Sequence, residues 1–215
     1  SMRVDGNIDD EGGVVLALIP RSREGVVVEN YSTHDGQRAA NVSFNNVLVG
    51  QDEIICGANK GFSVLSRAVD EAIAAICAEA VGAMDEAVKM TVDYLKTRQQ
   101  FGVPIGSFQA LQHRAADMFI ALEQARSMTY FAAMSVSDDD ENSRRRAMSA
   151  AKVQIAKSSR FIGQQAIQLH GGIGVTMEYK VGHLFKRLTI LEKQFGDYNH
   201  HLSRLSKSDY LIGDV

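Results

Sequence analysis

Residues 61–96, GFSVLSRAVDEAIAAICAEAVGAMDEAVKMTVDYLK, decide the fold. Within them Phe62, Leu65, Val69, Ile73, Ile76, Ala80, Ala83 and Ala87 recur at steps of three and four, which places one apolar stripe on a helix reaching about Lys96. The same spacing continues downstream. Phe108, Leu111, Ala115, Met118, Leu122, Ala125, Thr129, Ala132 and Val136 mark a second helix. Ala147, Ala151, Ile155, Ser158, Ile162, Ala166 and Leu169 mark a third, stopped by Gly171-Gly172. Regular alternation of threes and fours suits helices lying nearly parallel or antiparallel in a bundle. Two shorter helices are expected near 178–190 and 194–206. Between the second and third helices, Asp138-Asp139-Asp140-Glu141-Asn142 reads as a solvated loop, and Arg144-Arg145-Arg146 as a solvated first turn.

Upstream of residue 55 the pattern is different. Short β-rich runs, Val14 to Ile19, Val26 to Val28 and Ala40 to Phe44, are punctuated by Gly12-Gly13, Pro20, Gly25 and Asp35-Gly36. They read as three or four strands of one sheet, too few to be stable alone. The fold class read from these patterns is mainly α: an up-down helical bundle over 55–215, preceded by part of a β-sheet over 1–54. Many inner helix positions are Ala or Ser, which bury little area, so an oligomer is expected. Ser1-Met2 reads as a cloning remnant ahead of mid-domain sequence, so the chain is expected to be the C-terminal part of a longer protein.

Composition narrows the function only by exclusion. Of 215 residues, 45% are hydrophobic and 23% charged, as in ordinary globular proteins, and a formal charge of -3 gives no polyanion-binding surface. Nucleic acid is not an expected partner. No apolar run approaches membrane-spanning length, and the N-terminus lacks a signal-peptide layout. Two cysteines, Cys56 and Cys77, form no disulfide framework, which points to a reducing compartment and a cytoplasmic location. The six histidines make no metal motif, so no metal site is expected.

Two local patterns carry possible chemistry. Arg98-Gln99-Gln100-Phe101-Gly102 follows the first long helix, where an arginine either favours the helix dipole or offers its fork of donors to a phosphate. Gln168-Leu169-His170-Gly171-Gly172-Ile173-Gly174 is either a helix C-cap or a glycine segment whose backbone N–H groups approach an anion.

Taken together, these runs resemble the acyl-CoA dehydrogenase family. The resemblance rests on residues 97–113, TRQQFGVPIGSFQALQH, on residues 168–174, QLHGGIG, and on the upstream Asp35-Gly36-Gln37-Arg38-Ala39-Ala40 and Phe44-Asn45-Asn46-Val47. It implies a flavoprotein oxidoreductase of fatty-acid or steroid degradation, built from an N-terminal helical domain, a middle β-sheet domain and a C-terminal up-down four-helix bundle, so that 1–54 are the remaining strands of the middle domain and 55–215 the bundle. This chain matches the last strands of the middle domain and the bundle. FAD is the implied cofactor, an acyl-CoA the substrate, and electron-transfer flavoprotein the acceptor. Carried over by position, Arg98 matches an arginine on the FAD pyrophosphate across a subunit boundary, and Phe101 the aromatic beside it. Phe108 and Gln109 match positions near the cofactor, and Gln168, Gly171 and Gly172 the adenosine-diphosphate segment. Asp197 and Asn199 are weaker cofactor candidates. Asp70 matches an acidic position near the CoA arm.

The departures concern the catalytic base. The family's usual carboxylate position is Phe195 here, and the alternative on the first bundle helix is Ala72; neither side chain accepts a proton. Glu71 and Glu192 are the nearby carboxylates. This pattern is similar to small subunits of heteromeric members, such as pimeloyl-CoA or steroid side-chain types. Three functions follow as expectations. One is FAD-dependent α,β-dehydrogenation of an acyl-CoA thioester by a full-length protein, this chain being inactive alone and carrying no stoichiometric FAD. The second is a non-catalytic subunit completing a partner's FAD site, and the third a related flavin oxidase or monooxygenase.

Overall fold

A computed structural model describes residues 1–207. It divides into two compact units, Ser1–Val69 and a second beginning at Asp70, with the dividing point inside the first long helix. In the first unit, β1 (Met2–Arg3), β2 (Val14–Ala17) and β5 (Ile54–Cys56) form an antiparallel sheet in the order β1-β2-β5. Between them, β3 (Val26–Ser32) and β4 (Arg38–Phe44) pair as a separate hairpin. Five short strands in two sheets thus replace the single sheet expected. The reason is local: Asp35-Gly36 closes β3 on β4 in register from Val26↔Phe44 to Ser32↔Arg38, which satisfies those two strands with each other. Gly61 opens the first helix where an added Cβ would stand 2.0 Å from the Val14 carbonyl oxygen, so only glycine fits.

The second unit is the bundle. Its helices are α1 (Gly61–Thr97), α2 (Gln109–Ser135), α3 (Glu141–His170), α4 (Lys180–Lys193) and the short α5 (Tyr198–Ser206). Cross-helix contacts fix their directions. Arg126 of α2 bridges to Asp85 of α1 and the Thr129 hydroxyl reaches the Cys77 carbonyl, so α2 runs against α1. Arg144 meets Asp70 and His170 meets Tyr94, so α3 runs with α1. Lys152 meets the end of α4, while Gly163 faces Phe185, so α4 runs down against α3. The up-down-up-down order follows.

The core lies where the spacing predicts on α2 and α3: Met118, Leu122 and Ala125, then Ala147, Ala151, Ile155, Ile162 and Ala166, are all buried. On α1 the buried line is turned slightly, through Ile73, Cys77, Ala80, Met84, Val88, Thr91 and Leu95, while Ile76 and Ala83 are half-buried and Leu65 is exposed. Contacts from α2, α3 and α4 all fall on α1, so its buried face is broader than one stripe. Arg144 also departs from expectation. It is buried because its guanidinium turns inward, donating from Nε to Asp70 at 3.0 Å and from a terminal nitrogen to the Asp138 carbonyl at 2.7 Å.

Candidate functional site

The predicted site residues fall into two groups at opposite ends of the bundle. Asp70 and Arg98 bracket the part of α1 inside the second unit, about 40 Å apart at the helical rise per residue. The upper end holds Arg98, Phe101, Phe108, Gln109, Gln168, Gly171 and Gly172. The lower end holds Asp70, Glu71, Ala72, Glu192, Phe195, Asp197 and Asn199. One chain therefore does not bring all of them to one place.

At the upper end, β6 (Gln99–Gln100) and β7 (Val103–Pro104) make a two-residue hairpin turned by Phe101 and Gly102. Both turn residues have positive φ, 55° and 80°, the geometry of a type I′ turn. Glycine suits its position; phenylalanine in the left-handed region stores backbone strain of about 1 kcal/mol. Yet Phe101 is 90% exposed, and its ring meets that of Phe108 edge-on at 6.1 Å between centroids. The turn thus leaves an aromatic ring open to solvent, where a ligand can reach it. Arg98 anchors the hairpin, its N–H donating to Tyr94 and its carbonyl accepting from Ile105, both at 2.8 Å. Its guanidinium is exposed and makes no hydrogen bond or ion pair among the described residues.

The end of α3 stands beside this hairpin. The Tyr94 ring stacks on His170 with centroids 4.5 Å apart, and Tyr179 packs on the same imidazole at 5.1 Å. Gly171 ends the helix with φ 62° and returns its N–H to the Gln168 and Ile167 carbonyls. Gly171 and Gly172 have open space where a Cβ would project. A free guanidinium fork, an exposed ring and bare glycine backbone fit a dinucleotide carrying a pyrophosphate.

At the lower end the carboxylates are engaged. Asp70 is buried against Arg144. Glu192 is buried and paired with Arg160 and Lys193. Asp197 caps α5, accepting from the His200 N–H at 2.9 Å, and that bond holds its carboxyl below the usual range. Asn199 is exposed on the first turn of α5, and Glu71, exposed on α1, has an interaction of its own. Phe195 sits between α4 and α5 at φ 56°, 46% exposed, with Gly196 following at φ 102°. Ala72 is half-buried on α1.

Two residues that sequence reasoning missed hold this turn. Lys152 is fully buried and donates to the Leu191 and Glu192 carbonyls at 2.8 and 2.9 Å, closing the C-terminus of α4. Burial lowers its ammonium to about 8, and burial raises the neighbouring Cys77 thiol to about 12. His201 is buried as well, its Nε2 2.9 Å from the Phe195 carbonyl and its Nδ1 3.2 Å from the Ser149 hydroxyl. Burial takes its pKa down to about 4. The signal for Lys152 was present: it lies on the row Met148, Lys152, Ile155 of the inner face of α3.

Comparison with known proteins concerns the bundle as a whole. Residues 59–208 match the family model for the acyl-CoA dehydrogenase C-terminal domain. The chain is 29% identical over 183 residues to short-chain specific acyl-CoA dehydrogenase of Sus scrofa, covering 84% of this chain and 44% of that one. It is 32% identical over 177 residues to subunit CarC of the caffeyl-CoA reductase–Etf complex of Acetobacterium woodii, covering 81% and 46%. Among solved structures, the Tcur3481–Tcur3483 steroid ACAD superposes with a TM-score of 0.80 at 27% identity, over 90% of this chain and 51% of that one. The chain spans about half the length of these relatives. The comparison also overturns the cytoplasmic expectation: the short-chain relatives of Sus scrofa, Homo sapiens and Bos taurus are mitochondrial. Unpaired cysteines report a reducing environment, not which compartment supplies it. No described helix is long and apolar enough to cross a membrane, and no described His, Cys, Asp or Glu group is arranged to hold a metal.

Proposed function

The chain belongs to the acyl-CoA dehydrogenase family, and from that premise we propose that it is the non-catalytic bundle of a heteromeric flavoenzyme acting on acyl-CoA thioesters. It lends Arg98 and the Gly171-Gly172 segment to an FAD whose proton acceptor comes from a partner chain. FAD, when bound, supplies the hydride acceptor for α,β-dehydrogenation. Arg98 neutralises the pyrophosphate with charge-assisted bonds, Phe101 covers it from water, and the glycine backbone approaches its oxygens closely.

The carrying observation is the chemistry of the lower end. Removing an α-proton needs a carboxylate within hydrogen-bond reach, open to substrate. Phe195 and Ala72 stand at the two positions the family uses, and Asp70, Glu192 and Asp197 are held by Arg144, Arg160 and the α5 cap. Two relatives support a partner: one is a subunit of a reductase–Etf complex and another was solved as a paired steroid enzyme. The first name also supports an electron-transferring flavoprotein as acceptor. The family's homomeric dehydrogenases remain the second reading, with Glu71 as base.

The test is an acyl-CoA panel with an artificial electron acceptor, run on the chain alone with added FAD and on its native assembly. Turnover is expected only in the assembly, and Glu71→Gln is expected to leave the assembly's rate unchanged. Turnover by the chain alone that Glu71→Gln lowers by about a hundredfold or more defeats the proposal, since that is the usual range for losing a general base.

A further inference from the structure

We infer that His170 is a positioning residue that couples the Arg98 hairpin to the glycine segment, so that both reach one pyrophosphate together. This rests on the reading of the upper end as an FAD site.

The argument starts with what the imidazole touches. His170 is the last residue of α3 and is buried. Its Nδ1 lies 2.7 Å from the Ala166 carbonyl, which fixes the ring on its own helix. Tyr94 of α1 stacks on one side at an interplanar angle of 29°, and Tyr179, the residue before α4, packs on it at 52°. One ring thus joins the ends of α1 and α3 to the start of α4. Each neighbour leads straight to a ligand-facing group. The Tyr94 carbonyl accepts the Arg98 N–H. Gly171 follows His170 directly, and a Cβ at Gly174 would stand 3.1 Å from the His170 Cβ, so the glycine turn folds back against it.

The electrostatics fit a neutral ring held for its shape. Burial lowers its pKa, while the Ala166 and Met90 carbonyls pull the other way more weakly. Nε2 is buried and makes no hydrogen bond of normal geometry. The imidazole keeps the stack and adds the bond to Ala166 that sets its angle.

The experiment measures FAD affinity of the native assembly, stripped of flavin and titrated by fluorescence, in a double-mutant cycle. His170→Asn removes the stack and is expected to weaken FAD about tenfold, and Arg98→Ala by itself is expected to weaken it too. In the Arg98→Ala background His170→Asn is expected to cost only about threefold, because its placement of the hairpin is no longer used and only that of the glycine segment remains. His170→Phe restores the stack and is expected to bind FAD within about threefold of the native protein. Tyr94→Leu removes the stack from the other side and serves if His170→Asn does not fold; it should reproduce the His170→Asn loss and its coupling. Additive losses, or unchanged affinity in both His170→Asn and Tyr94→Leu while Arg98→Ala weakens binding, overturn this inference alone. Unchanged affinity in Arg98→Ala overturns the FAD site and the inference with it.

Discussion

At the scale of single residues, buried polar groups set the terms on which this bundle is stable. His201 has no exposed surface, and its native pKa of about 4 lies below the usual histidine value of about 6.5. Between those values the unfolded chain binds a proton that the native chain refuses, so stability falls as pH drops through that window and is unaffected above it. The full difference is about 3 kcal/mol. His201→Asn is expected to flatten the slope of unfolding free energy between pH 6.5 and pH 4, measured by urea melts at half-unit steps. The absolute stability at pH 7.5 falls too, because the bond to the Phe195 carbonyl is lost; the slope is the diagnostic. An unchanged slope rules out His201 as the acid-sensitive group. His170, also lowered by burial, leaves a residual slope in the same direction.

At the scale of elements, the periodic signal was legible and the polar exceptions were not. Helix α3 buries Ala147, Ala151, Ile155, Ser158, Ile162, Ala166 and Leu169, the stripe that spacing alone gives. Spacing did not show that Arg144 leaves the solvated first turn for Asp70, because a partner seventy-four positions away in sequence leaves no local trace. Spacing does put Lys152 on the inner face of α3, but its partners are carbonyls with no side-chain signature, so its role left no trace. The backbone of the candidate site was legible where glycine marks a turn, at Gly102 and Gly171. The site was not legible as two separate ends, since that depends on helix direction. The Arg144–Asp70 pair gives the element-scale prediction. Asp70→Asn leaves a buried guanidinium without its counter-charge and is expected to destabilise the protein by about 3–5 kcal/mol, read from urea unfolding. Replacing both, Asp70→Leu with Arg144→Met, is expected to cost less than the single change. If Asp70 instead serves the CoA arm, Asp70→Asn lowers substrate affinity with stability preserved within about 1 kcal/mol, an ordinary surface effect.

At the scale of the whole molecule, the separation of the two ends bears on the assembly that the proposed function calls for. Arg98 and Phe195 belong to opposite ends of one bundle, so a flavin held at the upper end meets a base position only on another chain. The outer face of α2 is dressed for such a contact. Phe119, Ile120, Tyr130, Phe131 and Met134 are all exposed there, and at about 100° per residue Phe119 and Tyr130, or Ile120 and Phe131, fall nearly in line. Five large apolar side chains exposed on one helix face make a patch of the kind that another protein surface covers. The prediction is that the native protein is at least a dimer at micromolar concentration by light scattering. Ile120→Glu with Phe131→Glu, which places two charges at the centre of that face, is expected to yield monomers. Because neither side chain is part of the core, the variant's own helicity and melting should persist. A dissociated variant should also lose FAD, because Arg98 and the partner's half of the pocket then separate. A native monomer, or a double variant that remains fully assembled, removes the α2 face from the interface; monomers that keep FAD at native affinity remove the partner from the flavin site.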